Sequence, residues 1–112
     1  MTPEGKVKKK VKDLIAKYPH VYSEWPVPGG YGKSGLDCWG IIDGKGFAIE
    51  TKRAGKEPTD RQTKCMNEIL AAGGAVFVVA GDDQYGFNQL KMFLDANSVG
   101  CTSIRSVPGN NE

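Results

Sequence analysis

The sequence has no long apolar run, no Cys-x-x-Cys pair and no internal repeat, and its only histidine is His20. A membrane-spanning helix needs about 20 consecutive apolar residues, so no membrane partner is expected. The lysine-rich start lacks the apolar stretch of a secretory signal. One histidine and scattered cysteines do not predict a structural zinc site. Three widely spaced cysteines (Cys38, Cys65 and Cys101) are expected to be small buried residues in a reducing compartment, the cytoplasm.

The charge of this 112-residue chain is unevenly distributed, although its net value is only +2. Residues 1–17 carry six lysines against two acidic residues, and the remainder carries nine basic and eleven acidic residues. A basic helix on a nearly neutral body favours a polyanionic partner, and a solvated lysine face is the alternative. The length and the ordinary content of 39% hydrophobic residues predict a single globular domain over residues 1–112.

The periodicity of apolar residues predicts three helices and four strands. Helices are predicted at 4–18, from Thr59 to Gly73-Gly74, and at 84–96. Strands are predicted at 20–25, 36–42, 47–52 and 75–80. The order αβββαβα indicates an α/β fold with a mixed sheet flanked by helices. The apolar run at 75–80 is typical of a parallel strand buried on both faces, and residues 100–112 predict an irregular tail with a short edge strand at 101–105.

A glycine-rich loop at 30–35 (GYGKSG) matches two phosphate-binding patterns. Both patterns require a helix directly after the loop, because its N-terminus must face the phosphate. A strand follows here, so we do not expect a nucleotide site. Two interpretations of the loop are left: a flexible connection between elements, and a loop that contacts a nucleic-acid backbone.

Two carboxylates and an ammonium group fall at corresponding ends of two neighbouring predicted strands. Asp37 begins the first strand, and Glu50 and Lys52 share one face at the end of the next. A two-residue turn at Asp43-Gly44 places Asp37 opposite Glu50, and one at Gly44-Lys45 places it opposite Lys52. Either turn brings all three side chains to one face.

Two neighbouring carboxylates repel each other unless a cation joins them, and Mg²⁺ commonly binds one or two carboxylates with waters and phosphate oxygens. Lys52 could orient or deprotonate an attacking water, or stabilise charge that develops on a phosphate. The alternative is a hairpin end closed by salt bridges.

Two more polar residues lie on inward faces of predicted helices. Glu4 lies on the apolar side of the first helix, where a charge needs a partner or simply favours the helix N-terminus. Gln62 lies at the centre of the apolar arc of the second helix, and its Thr-x-x-Gln spacing from Thr59 also matches a capping box. Trp39 shares a strand face with Asp37 and is interpreted as core packing, with base stacking as the alternative.

The segments Ser34–Asp37 (SGLD) and Phe47–Arg53 (FAIETKR), followed by Gln62, resemble the PD-(D/E)xK nuclease superfamily. More narrowly, they resemble the small stand-alone form of the VRR-NUC (virus-type replication-repair nuclease) domain. The resemblance covers about residues 4–96 and leaves 97–112 as a tail. Leu36 stands where the family often has proline. The resemblance implies a restriction-endonuclease-like αβββαβ core.

The resemblance also implies a function: metal-dependent, structure-specific hydrolysis of branched DNA, such as Holliday junctions, by a homodimer in a bacterial or phage-infected cytoplasm. The implied catalytic residues are Glu4, Asp37, Glu50, Lys52 and Gln62. Asp37, Glu50 and the backbone carbonyl of Thr51 would bind Mg²⁺ or Mn²⁺, and Lys52 would act on the attacking water. Glu4 would contact the metal through water, and Gln62 would support the site or the DNA.

Basic side chains near the predicted site are expected to bind DNA phosphates. They are Lys8, Lys9, Lys12, Arg53, Lys56, Arg61 and Lys64. The third helix carries apolar residues around much of its surface, which would cover a dimer partner or fill the core: Phe87, Leu90, Met92, Phe93 and Leu94. Two rival functions are a non-catalytic DNA-binding module of the same fold and a small protein-binding domain whose basic helix is merely solvated.

Overall fold

The computed structural model describes residues 1–27 and 35–98. Its elements are α1 (Pro3–Ile15), β1 (Val21–Glu24), β2 (Cys38–Ile42), β3 (Lys45–Lys52), α2 (Asp60–Ala71), β4 (Ala75–Ala80) and α3 (Gln84–Ser98). The predictions for loop residues 30–34, for Cys101 and for an edge strand at 101–105 lie outside the described residues. None of the helices in the described ranges is both long and apolar enough to cross a membrane.

The four strands form one mixed sheet in the order β1-β2-β3-β4. β2 runs antiparallel to both β1 and β3, and β4 runs parallel to β3. The predicted α/β class, the mixed sheet with flanking helices and the parallel return of β4 are confirmed. The expected burial of β4 on both faces is wrong, since only Val79 is fully buried there. β4 lies at the edge of the described sheet, where one side has no neighbouring strand.

The turn between β2 and β3 selects one of the two predicted registers. Ile42 pairs with Lys45, so the turn consists of Asp43 and Gly44. Both turn residues have positive φ angles, 48° and 77°. This is the backbone of a type I′ turn, whose twist matches that of the flanking strands and which Asp-Gly favours.

α1 and α2 begin with the side-chain caps that their sequences offer. The Thr2 hydroxyl accepts a hydrogen bond from the backbone of α1, and Pro3 fits the first turn because its missing N–H has no intrahelical partner there. Thr59 and Gln62 form the predicted capping box at the start of α2. α1 ends at Ile15, three residues before its predicted end.

The helices cover the two faces of the sheet unequally. α1 and α3 contribute to the larger core cluster on one face, and α2 packs on the other face around Leu36, Ala48 and Met66. Leu90 and Leu94 of α3 are fully buried, and Phe87 and Phe93 pack against the same core. Most of the apolar surface of α3 therefore fills the core of this chain, and Met92 alone among the five residues named above is strongly exposed.

The interpretation of Trp39 as core packing is wrong. Trp39 is 46% exposed, and its neighbours on the same face of the sheet are exposed to a similar extent, Tyr22 by 53% and Ile41 by 45%. α2 contacts β3 and β4. A helix about 10 Å wide covers roughly two strands spaced 4.8 Å apart. On the face that α2 covers, β1 and β2 therefore remain exposed.

Candidate active site

The hairpin register brings Asp37 next to Glu50. Cys38 pairs with Ile49 in the antiparallel ladder, so Asp37, one residue before Cys38, lies opposite Glu50, one residue after Ile49. The backbone N–H of Asp37 donates to Glu50 Oε1 at 3.2 Å. Glu50 is only 1% exposed, although it carries a carboxylate. A buried charge needs partners, and the Asp37 backbone supplies one of them.

Two further donors reach the other oxygen of Glu50. Lys52 Nζ lies 3.1 Å from Glu50 Oε2, and Gln62 Nε2 donates to the same oxygen at 2.8 Å. Lys52 shares the strand face of Glu50, because side chains alternate along a strand. Gln62 reaches this face from the first turn of α2, where it also closes the capping box. Gln62 therefore closes the predicted capping box and hydrogen-bonds Glu50 at the same time.

The Asp37 carboxylate is held from a different direction. Its Oδ2 accepts hydrogen bonds from the backbone N–H of Thr51 at 2.9 Å and from the Thr51 hydroxyl at 2.7 Å. Its Oδ1 lies 3.7 Å from Lys8 Nζ of α1. α1 thus contributes a cation to the pair of carboxylates. The sequence analysis predicts a DNA contact for Lys8 and a metal-binding role for the backbone carbonyl of Thr51. It does not predict that the two side chains contact Asp37.

A signal for these two contacts is present in the sequence. Lys8 flanks the apolar stripe of α1, one turn after Glu4, so its long side chain can extend from a buried face to the sheet edge. Thr51 alternates with Glu50 and Lys52 and therefore points toward α1. Neither pattern predicts the position of α1 along the sheet, and that position determines whether Lys8 reaches Asp37.

Burial and like charge raise the pKa of Glu50. Desolvation is the largest cause and the negative charge of Asp37 is the second, while the Lys52 ammonium acts in the opposite direction. The ionised form of Glu50 is therefore less favoured here than in water. A cation placed between the two carboxylates would neutralise their repulsion and favour the ionised form of Glu50 against the cost of burial.

The donor set fits a hard divalent cation. Among the residues that the structure describes, Asp37 Oδ1 makes no hydrogen bond, since Lys8 Nζ lies 3.7 Å away, beyond ordinary hydrogen-bond distance. Two carboxylates, completed by waters and phosphate oxygens, are a common ligand set for Mg²⁺. Within residues 1–27 and 35–98, no third His, Cys, Asp or Glu joins them in a metal-binding cluster.

Glu4 stands apart from this group. It is half-buried in the first turn of α1, one turn before Lys8. In the part of the chain that the structure describes, its carboxylate makes no hydrogen bond and no ion pair. The structure therefore does not bring Glu4 into direct contact with Asp37 or Glu50.

The seven predicted DNA-binding residues flank the carboxylates from two sides. Lys8, Lys9 and Lys12 lie on α1, Arg61 and Lys64 lie on α2 across the sheet, and Arg53 and Lys56 follow β3 directly. Several already have partners: Lys9 pairs with Asp13 at 2.9 Å, Lys64 approaches Glu68 at 4.0 Å, and Lys12 lies over the Trp25 ring. They do not form one continuous patch on a single face.

Comparison of the sequence with models of protein families gives no match. Comparison with curated proteins gives none either.

Proposed function

We propose that this chain is a metal-dependent endonuclease of the VRR-NUC type that hydrolyses phosphodiester bonds in branched DNA, such as Holliday junctions, as a homodimer. The observation that carries the proposal is the environment of Glu50. A fully buried carboxylate lies beside Asp37 and within 3.1 Å of the Lys52 ammonium, at the open end of a sheet. A purely structural core seldom retains such a group, because its burial is costly.

The order of elements supports the restriction-endonuclease-like part of the proposal. α1, β1, β2, β3, α2 and β4 follow one another as αβββαβ, with α3 appended. The residues of the proposed site come from the start of β2, the end of β3 and the first turn of α2. These are the positions that the resemblance to PD-(D/E)xK nucleases implies.

In this proposal Asp37, Glu50 and the carbonyl of Thr51 hold Mg²⁺ or Mn²⁺, which polarises the phosphate and activates water when bound. Thr51 fixes the orientation of the Asp37 carboxylate through two hydrogen bonds, and Gln62 fixes that of Glu50. Lys52 has three N–H donors and gives one to Glu50. Its other donors can orient the attacking water or a phosphate oxygen.

Cleavage of a panel of end-labelled DNA structures, with Mn²⁺ or with EDTA, tests the proposal. The wild type is expected to cut at least one of the DNA structures when Mn²⁺ is present and none of them in EDTA. Glu50→Ala and Lys52→Ala are expected to lower the rate by roughly a hundredfold or more while the protein stays folded. Glu68→Ala removes a carboxylate from the exposed side of α2 and serves as the control with wild-type activity. A wild-type rate for Lys52→Ala would contradict the role given to Lys52.

A non-catalytic DNA-binding module is the second candidate, and one observation favours it. Lys8, Lys52 and Gln62 already neutralise or hydrogen-bond the two carboxylates without any added cation. Such a module would bind the same DNA structures equally well with EDTA or Mn²⁺ and would cut none of them.

A further inference from the structure

An open cavity of about 550 Å³ lies between α2 and the uncovered half of the sheet. Trp39 and Ile41 form one side, Ile69 and the end of α2 form the other, and Ala48 lies at its floor. The volume falls within the usual range for sites that bind small organic groups. Lys45 is the charged residue among those that line it, but it lies three positions from Ala48, so its side chain belongs to the opposite face of β3.

The cavity adjoins the carboxylate site along the same face of the sheet. Trp39 pairs with Ala48, and Glu50 is two residues further along β3 on the face of Ala48. Diagonal neighbours of this kind are about 7–8 Å apart. Asp37 directly precedes β2 and is two residues before Trp39, about 6.5 Å for extended chain. The indole therefore stands within the span of one nucleotide from the carboxylates.

Trp39, which lines this cavity, packs against the exposed ring of Tyr22. The rings of Tyr22 and Trp39 are tilted by 58° with centroids 5.9 Å apart. The Tyr22 hydroxyl donates to the Glu24 carboxylate, which holds this ring in place. Large apolar rings that remain half exposed beside a polar site indicate a surface that another molecule covers.

The charges around the pair indicate what that molecule is. Lys52 and Lys8 stand at the carboxylate end of the cavity. Cations at this end suit the phosphate that is cut, and the apolar middle of the cavity suits a flat base. The Glu24 carboxylate beside the rings disfavours a phosphate at that point, so the base and not the backbone faces Trp39.

We propose that Trp39, backed by Tyr22, stacks an unpaired nucleobase next to the phosphodiester that is cut. A base inside a duplex is covered on both faces by its neighbours, so only a single-stranded or extruded base can occupy this position. Stacking on an aromatic side chain tolerates any base, because every base has a flat π-face. The inference rests on the proposed nuclease function and narrows the substrate to DNA with an unpaired nucleotide at the cut.

A cleavage experiment with abasic DNA tests the stacking directly. A single abasic site is moved along the cleaved strand, and kcat/KM is measured for wild type, Trp39→Leu and Trp39→Phe. The wild type is expected to lose about tenfold or more when the abasic site adjoins the cut. Trp39→Leu starts about tenfold lower and becomes insensitive to the abasic site, whereas Trp39→Phe recovers most of the activity. Tyr85→Leu removes an exposed ring from α3 and is expected to behave like the wild type.

A binding experiment separates failure of the inference from failure of the proposed function. The chain has two tryptophans, so Trp25→Phe leaves Trp39 as the only indole. In a Glu50→Ala background, which prevents cleavage, single-stranded oligonucleotides are expected to quench Trp39 fluorescence more than blunt duplexes do. Quenching without cleavage by any form of the protein would retain the stacking surface and reject the nuclease.

Three results would overturn the stacking inference. The first is equal sensitivity of wild type and Trp39→Leu to the abasic site. The second is an absence of Trp39 quenching by single strands. The third is conversion of a dimer to a monomer by Trp39→Leu in light scattering, which would assign this surface to a second copy of the chain.

Discussion

Glu50 shows how burial governs the behaviour of a single residue. Its carboxylate is shielded from water, lies beside Asp37 and accepts hydrogen bonds at both oxygens. Desolvation and the charge of Asp37 together raise its pKa. A folded state that holds this proton more tightly than the unfolded chain is stabilised by protonation and destabilised by ionisation.

The stability of the metal-free protein is therefore expected to depend on Glu50 and pH. The penalty begins as the pH rises above the ordinary glutamate value of 4.5 and is complete above the raised pKa of the folded state. In EDTA, the difference in unfolding free energy between Glu50→Gln and wild type should increase across this window, reaching about 1 kcal/mol in favour of the variant. Urea titrations at a series of pH values measure it. Parallel pH profiles, like those expected for Glu68→Gln, would contradict the prediction.

The two cysteines that the structure describes differ in how deeply their thiols are buried. Cys38 is fully buried in β2, and burial raises the pKa of its thiol to about 12. Cys65 is half-buried on α2. Because the thiolate is the reactive form, a disulfide reagent at pH 8 should modify Cys38 at least tenfold more slowly than Cys65.

Single-cysteine variants, each with Cys101→Ser, allow the two modification rates to be measured separately. In denaturant the two rates should become similar. Equal rates in the folded protein would show that β2 opens readily.

At the residue scale, the sequence predicted the members of the site better than their contacts. Asp37, Glu50, Lys52 and Gln62 come together because strand alternation, an Asp-Gly turn and a capping box each restrict where one side chain can lie. The exposure of Trp39 was missed, since its strand position is the same whether or not a helix lies above it. That outcome depends on the width of α2 and its position across the sheet.

At the scale of elements, α3 depends on a close approach to β4. A Cβ atom built on Gly86 would lie 1.8 Å from the carbonyl oxygen of Val78, which is part of the sheet backbone. Glycine at this position lets the first turn of the helix rest directly on the strand. Any larger residue must move the helix, and Leu90 and Leu94 would move with it.

Gly86→Ala is expected to lower the free energy of unfolding by about 3 kcal/mol, the upper end of the usual cost of overpacking. Gly46→Ala is the matched control, because a Cβ there meets nothing within 4 Å. Its effect should stay within about 0.5 kcal/mol. Urea unfolding of both variants provides the comparison, and equal stabilities would show that α3 can shift without loss.

Local signals predicted the elements well where neighbouring residues determine the structure. The capping box at Thr59 and the turn at Asp43-Gly44 are examples, since their hydrogen bonds and φ angles involve only nearby residues. The burial of β4 was overestimated, because an apolar strand sequence does not state whether the strand lies in the middle or at the edge. That is a property of the whole sheet.

At the scale of the whole molecule, ion binding should be visible as stability. A ligand that binds only the folded state at a hundred times its Kd adds about 2.7 kcal/mol. Each kcal/mol shifts the Tm of a domain of about this size by roughly 4–8 °C. Mn²⁺ is therefore expected to raise the Tm of the wild type clearly and that of Glu50→Ala very little.

Scanning calorimetry at increasing Mn²⁺ concentrations measures this shift. Ca²⁺ offers a second hard cation, and K⁺ at equal ionic strength controls for screening. A similar rise in both proteins would place the bound ion away from Glu50.

The position of Lys8 beside Asp37 has a practical consequence for recombinant protein. α1 rises 1.5 Å per residue, so its first residue, Pro3, lies only about 7.5 Å along the helix axis from Lys8, and Met1 is two residues further. A polyhistidine tag fused ahead of Met1 would therefore bring several imidazoles near the two carboxylates, where they could capture the very ions under assay. Purification handles should be removed or placed elsewhere before any metal dependence is interpreted.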